Sequence, residues 1–137
     1  MRKILALITV ISFSLNLFSQ KKDSKWDVNN PHKDWKYTSF NLNTNEGTWM
    51  NLDVSPDGKT IVFDLLGDIY KMPISGGKAT ALRSGLAYEV QPRFSPNGKY
   101  ISFTSDAEGG NNIWVMTADG QNAKSITKEK YRLLNNA

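Results

Sequence analysis

A nine-residue string occurs twice in this chain. Ser55-Pro56-Asp57-Gly58-Lys59-Thr60-Ile61-Val62-Phe63 returns 40 residues later as Ser95-Pro96-Asn97-Gly98-Lys99-Tyr100-Ile101-Ser102-Phe103. Further on, Ile69-Tyr70-Lys71-Met72 matches Ile113-Trp114-Val115-Met116 at a spacing of 44, and Gly76 and Ala79 match Gly120 and Ala123 at the same spacing. The second copy has therefore gained four residues, within Asp106-Ala107-Glu108-Gly109-Gly110-Asn111. A repeat of this length constrains the fold more than any composition figure. Each copy must be one supersecondary unit that buries its faces against its neighbours.

The motif carries its own mechanics. In Ser-Pro-Asp-Gly the proline presets φ near −65° for the first central turn position, and Asp57 or Asn97 suits the next. Gly58 or Gly98 takes a left-handed conformation that other residues adopt only with strain. The turn folds one strand onto the next as a hairpin. The strand after it alternates, with Ile61 and Phe63 on one face and Thr60, Val62 and Asp64 on the other. Gly76-Gly77 and Asp119-Gly120 supply later turns. The pattern predicts four strands per unit, at 49–54, 60–64, 68–74 and 79–82, then at 89–94, 100–104, 112–117 and 123–127. Four antiparallel strands at a period of about 40–45 residues describe a propeller blade. The expected fold is all-β: two four-stranded antiparallel blades of an incomplete β-propeller. A plain sandwich would need the match across two turns and two strands to be coincidence.

The strings NLDVSPDGKTIVF and QPRFSPNGKYISF, followed by DIYKM and NIWVM, resemble TolB-like propeller repeats, also called WD40-like PD40 repeats. The resemblance covers residues 49–127. In that pattern an aspartate or asparagine opens the third strand, here Asp68 and Asn112. A narrower resemblance covers residues 26–82. The order WDVNNPHKDWK, then NEGTWMNLDVSPDGKTIVFDLLGDIYKMPISGGKA, is similar to the start of secreted amidohydrolases that carry such a propeller ahead of a metal-dependent hydrolase domain. That resemblance implies a His-x-His metal pair in a downstream barrel. Nothing in this chain matches that pair, so no catalytic residue carries over.

The first twenty residues have the layout of an export signal. Met1 to Lys3 is basic, Ile4 to Phe18 is an apolar run, and Ser19-Gln20 precedes the charged Lys21-Lys22-Asp23. A spanning helix wants about 20 strongly apolar residues. A periplasmic or secreted location is expected, with no membrane anchor after signal removal. The predicted organisation is a signal peptide at 1–19, a polar linker at 20–36, and a candidate closing strand and loop at 37–48. Blade one then takes 49–88, blade two 89–130, and the start of a connection to a further blade 131–137. Within this scheme residues 37–42 alternate like a strand, and Trp26 and Trp35 are expected to dock on the folded body. Two blades leave two faces open, and exposing a Leu, Ile or Phe forfeits roughly 1.5–3 kcal/mol of burial. The chain is therefore expected to be a piece of a longer protein or to assemble in several copies.

The chain holds 17 basic and 13 acidic side chains, a formal charge of +4. Without Arg2 and Lys3 the balance is 15 against 13, or +2. The lysines are scattered with no basic stripe, so no nucleic-acid partner is expected. There is no cysteine, which excludes disulfides and thiolate metal sites. A Ser–His system has only His32 to draw on, in the linker. The loop at 106–112 has oxygen ligands but lacks the spacing and distal glutamate of a calcium loop. Gly76-Gly77-Lys78 has no helix after it and is no phosphate cradle. Asp64 and Asp68 flank the DLLGD turn. Trp49, Trp114, Tyr70 and Tyr100 read as blade-packing aromatics. No catalytic, cofactor-binding or metal-ligating residue is assigned and no cofactor is expected. The implied partners are the rest of a longer propeller, a catalytic domain, and a protein or peptide ligand.

These features lead to a non-catalytic propeller acting as scaffold or access gate in an amidohydrolase-type hydrolase. Two alternatives share the same blades: a TolB-like protein- or peptide-binding propeller, and the propeller of a prolyl-oligopeptidase-type serine peptidase.

Overall fold

A computed structural model of the chain describes residues 28, 35–38, 41–130 and 133–136. Its strands are β1 (Leu52–Val54), β2 (Thr60–Leu65), β3 (Asp68–Pro73), β4 (Thr80–Arg83), β5 (Glu89–Phe94), β6 (Tyr100–Ser105), β7 (Asn112–Thr117) and β8 (Lys124–Ser125). They form two four-stranded antiparallel sheets, β1-β2-β3-β4 and β5-β6-β7-β8, with neighbours in chain order. Six residues, 106–111, join β6 to β7, whereas Leu66 and Gly67 alone join β2 to β3. The four extra residues lie in that turn and leave the ladders intact.

Strand alternation decides which residues meet between the sheets. Register pairs Val62 with Lys71 and Asp64 with Ile69, so Val62, Asp64 and Ile69 share one face of the first sheet. Ile101 pairs with Met116 and Phe103 with Trp114, so these four share the opposite kind of face on the second. The buried cluster is Val62, Ile69, Ile101, Phe103 and Met116, with Leu82, Phe94 and Trp114 packed on it. The even-numbered face of β2 thus meets the odd-numbered face of β6. The repeat places Ile61 and Phe63 like Ile101 and Phe103, but on the face of the first sheet turned away from this core. There Phe63 stacks on Tyr70 with ring centroids 5.7 Å apart. The segment before β1 crosses this side, where a Cβ on Gly47 would lie 3.1 Å from Leu65.

The sheets are also joined by a carboxylate. Asp64 is 3% exposed. It accepts hydrogen bonds from the Asn51 amide N–H (2.9 Å), the Asn51 Nδ2 (2.9 Å) and the Gln91 amide N–H (2.7 Å). Gln91 sits where β5 slips register against β6, with φ at 57°. That bulge frees its N–H from the ladder and turns it across the interface. The second sheet repeats the device with a hydroxyl. Thr104, 40 residues after Asp64, accepts from the Asn136 amide N–H at 2.9 Å and donates to Gln91 Oε1 at 3.3 Å. Asn136 Nδ2 also donates to the Gln91 carbonyl at 2.9 Å.

Some strand bounds differ from those expected, and the described residues before β1 carry no strand. Residues 37, 38, 41 and 42 form no strand, and Tyr37 and Leu42 are 58% and 50% exposed. Trp35 is 53% exposed, while Trp26 and residues 39–40 lie outside the described residues. The first strand begins at Leu52 rather than at 49, because Asn51 gives its N–H to Asp64 rather than to the ladder. The last strand is only Lys124–Ser125. The Thr127 hydroxyl takes the Ile113 N–H at 2.9 Å, where a strand would have used a carbonyl. The signal segment at 1–19 and the linker residue His32 are outside the described residues. No helix among the described residues is long and apolar enough to cross a membrane.

Candidate binding cleft

Both copies of the repeated turn stand at one end of the interface between the sheets. Each closes in the same way. The Gly58 N–H donates to the Ser55 carbonyl and Gly98 to Ser95, both at 2.8 Å. The glycines have φ of 70° and 68°. The Ser55 hydroxyl donates to Asp57 Oδ1 at 2.6 Å and the Ser95 hydroxyl to Asn97 Oδ1 at 2.8 Å. The amides of Lys59 and Lys99 then bond the same oxygens, at 3.1 and 3.0 Å. Aspartate and asparagine are interchangeable here because only one accepting oxygen is used.

The two differ in how they titrate. The Ser55 hydroxyl, and then the Lys59 amide, hold the Asp57 carboxyl below its ordinary value of 3.8. Asp119 is lowered likewise, first by the Thr117 hydroxyl and then by the Gln121 amide, with a smaller contribution from the charge of Lys71. A carboxyl lowered in the folded state stabilises it above the ordinary pKa, and that contribution fades as pH falls through the folded value. Replacing Asp57 with Asn keeps the turn, as Asn97 shows, and removes one such group. The variant is expected to fall short of the parent at pH 6, and to converge with it only as pH drops below 3.8 and on through the lowered folded value. Thermal midpoints measured across that range check this.

The two turns wall a cleft of about 600 Å³ between the sheets. Pro56, Phe94 and Pro96 give it apolar surface, and Lys59, Lys71 and Lys78 bring cations to it. Lys71 arrives from β3 and Lys78 from the Gly76-Gly77 turn that precedes β4, so three consecutive segments of the first sheet converge here. Among the described residues the salt bridge is Arg83 with Glu89; the charges of Lys59 and Lys71 act at longer range on Asp57 and Asp119, and the three lysines of the cleft outnumber the one carboxylate in its lining.

The opposite end of the sheets is occupied by structural polar groups. Asp68 Oδ1 accepts the Gly85 N–H at 3.2 Å, and Asn112 Oδ1 accepts the Glu129 N–H at 2.7 Å, each from a residue 17 positions on. This is the physical reason the third strand opens on Asp or Asn: the side chain ties down the connection leaving the fourth strand. Asp68 also accepts from the Tyr70 hydroxyl at 3.2 Å. Burial first, and then the charge and hydrogen bond of Asp68, raise the Tyr70 pKa above its ordinary value of 10.0. Glu89, 1% exposed, is gripped by Arg83 Nε and Nη2, the latter at 2.8 Å. Asp106 Oδ1 accepts the Tyr88 N–H at 2.8 Å, which employs the loop at 106–112 in joining strands. Among the described residues no group of three His, Cys, Asp or Glu side chains could hold a metal ion.

The four aromatic residues expected to pack divide evenly. Trp114 lies against Phe103 with centroids 6.3 Å apart, and Tyr70 against Phe63. Trp49 is 100% exposed and Tyr100 47% exposed, so these two do not fill a core within this chain. The lysine convergence was not seen in the sequence, since Lys59, Lys71 and Lys78 are brought together only by the pairing of β2, β3 and β4. The one signal available was a lysine after each of the Ser-Pro-Asp-Gly and Gly-Gly turns.

No family model matches the chain. Over 81 residues it is 37% identical to an uncharacterized protein of Agrobacterium fabrum, a stretch covering 56% of this chain and 28% of that protein. Over 72 residues it is 29% identical to Tricorn protease homolog 1 of Streptomyces coelicolor, covering 53% of this chain and 7% of that protein. The chain thus spans less than a third of either relative. Among solved structures it is similar to one described as TolB from Agrobacterium tumefaciens, with a TM-score of 0.55 and 32% identity over 61% of this chain and 32% of that one. It is also similar to TolB from Acinetobacter baumannii, with a TM-score of 0.53 and 27% identity over 61% and 22% of the two chains. The fold is all-β: two four-stranded antiparallel blades of a TolB-like propeller.

Proposed function

We propose that this chain supplies blades to an exported TolB-like propeller that acts as a non-catalytic binding scaffold for a protein or peptide. The observation that carries this reading is the cleft between the blades. Its walls are hydrogen-bonded turns, apolar side chains and lysines, a surface suited to holding a ligand. The similarity to two TolB structures supports the propeller, and the basic head, apolar run and polar start of residues 1–23 support export to the periplasm or beyond.

A second reading makes the same blades the scaffold or access gate of a metal-dependent amidohydrolase. It is favoured by the WDVNNPHKDWK string and the order of motifs over residues 26–82. Fold alone does not separate the two, because function lives in sites grafted on folds. Genomic DNA following codon 137 does. Further Ser-Pro-Asp-Gly repeats and then a stop are the result expected for the binding propeller. A His-x-His pair in a following barrel would transfer the chain to the amidohydrolase reading, and a Gly-x-Ser-x-Gly elbow to a serine peptidase.

A further inference from the structure

We infer that the cleft between the blades takes an acidic, extended peptide segment whose carboxylates meet Lys59, Lys71 and Lys78 and whose apolar side chains rest on Phe94 and Pro96. The inference rests on the binding-scaffold reading and gives that scaffold a partner chemistry.

Charge complementarity is the first support. Three ammonium groups border one cleft of about 600 Å³ against a single lining carboxylate, Asp57, and among the described residues none of the three is in a salt bridge. The carboxylate in the lining is already engaged: Asp57 accepts from the Ser55 hydroxyl and the Lys59 amide. The lysines therefore leave the lining with a surplus of positive charge, and that sign selects an anion.

The second support is the kind of anion. A phosphate site gathers free backbone N–H groups around one point. Here the N–H groups of the turns are spent within them: Gly58 on the Ser55 carbonyl, Lys59 on Asp57, Thr60 on the Ser55 hydroxyl, with the same set at Gly98, Lys99 and Tyr100. What remains is separate point charges around apolar surface. That matches carboxylates spaced along a chain with apolar residues between them, as in an extended peptide whose side chains alternate.

The test uses the full chain and three fluorescein-labelled ten-residue peptides that alternate leucine with glutamate, glutamine or lysine. Fluorescence anisotropy reads binding. The glutamate peptide is expected to bind at least about tenfold more tightly than the glutamine peptide, and more weakly as sodium chloride rises from about 0.05 to 0.5 M. Lys59→Gln and Lys78→Gln are expected to weaken it by about threefold each, in the range of exposed ion pairs, and both side chains sit at exposed positions. Circular dichroism confirms that the variants keep their strands. Equal binding of the glutamate and glutamine peptides, or indifference to both lysine changes, would overturn the acidic partner and leave a binding scaffold of other specificity. Displacement of the peptide by inorganic phosphate at concentrations where sulfate has no effect would reassign the cleft to phosphate. Failure of all three peptides to bind would overturn the acidic segment and count against the scaffold reading as well.

Discussion

Replacing Phe103 with alanine is expected to lower the unfolding free energy of the chain by about 3–5 kcal/mol, the range for a buried aromatic cut back to a methyl group. Phe103 is 0% exposed and belongs to the cluster that joins the sheets, where Val62 and Ile69 of the first meet Ile101 and Met116 of the second. Truncation would open a cavity between two ladders whose own pairing limits how far they can collapse into it. Phe63 provides the control. It holds the same repeat position but lies on the far face of the first sheet, against Tyr70. Phe63→Ala is expected to cost less, about 1.5–3 kcal/mol, because mainly its transfer free energy is lost. Urea unfolding followed by tryptophan fluorescence measures both. Equal losses would mean that the core is not centred between the sheets.

Asp64→Leu is expected to be comparably damaging, at about 2–5 kcal/mol, for a different reason. Leucine fills similar space but accepts no hydrogen bonds. The Asn51 and Gln91 amides, which donate to the carboxylate at 2.9 and 2.7 Å, would be left without partners. Each buried donor stranded in this way costs about 1–3 kcal/mol. Asp64→Asn separates shape from chemistry. One amide oxygen can still accept two of the three hydrogen bonds, so about 1–3 kcal/mol is expected. The same urea experiment ranks the two variants, and amide hydrogen exchange at Gln91 localises the loss. If leucine proves no worse than asparagine, the carboxylate does not join the sheets.

The contrast between these two residues shows what could be read from the sequence. Phe103 was legible. It stands two residues after Ile101 in a string that recurs at a fixed spacing, and its neighbours followed from alternation. The turns were legible too, since proline, Asp or Asn, and glycine each meet a local backbone demand. Asp64 was not. In the string DLLGD it reads as part of a turn, and its partners lie 13 and 27 residues away. Whether a carboxylate faces water or a neighbouring sheet depends on which face is covered, and a strand's own pattern does not say. The cleft belongs with Asp64: its lysines come from different segments, and sheet pairing brings them together.

The contact between Gln91 and Asp64 has a direction. The Gln91 N–H, in the first strand of one unit, donates a hydrogen bond to the second strand of the unit before it, and the Asn136 N–H does the same toward Thr104. Turning one unit around a twofold axis would set acceptor against acceptor and donor against donor. Stacking of these units is therefore head to tail, with the same rotation applied at every step. An array built on this contact is a closed ring or an open spiral, not a back-to-back pair.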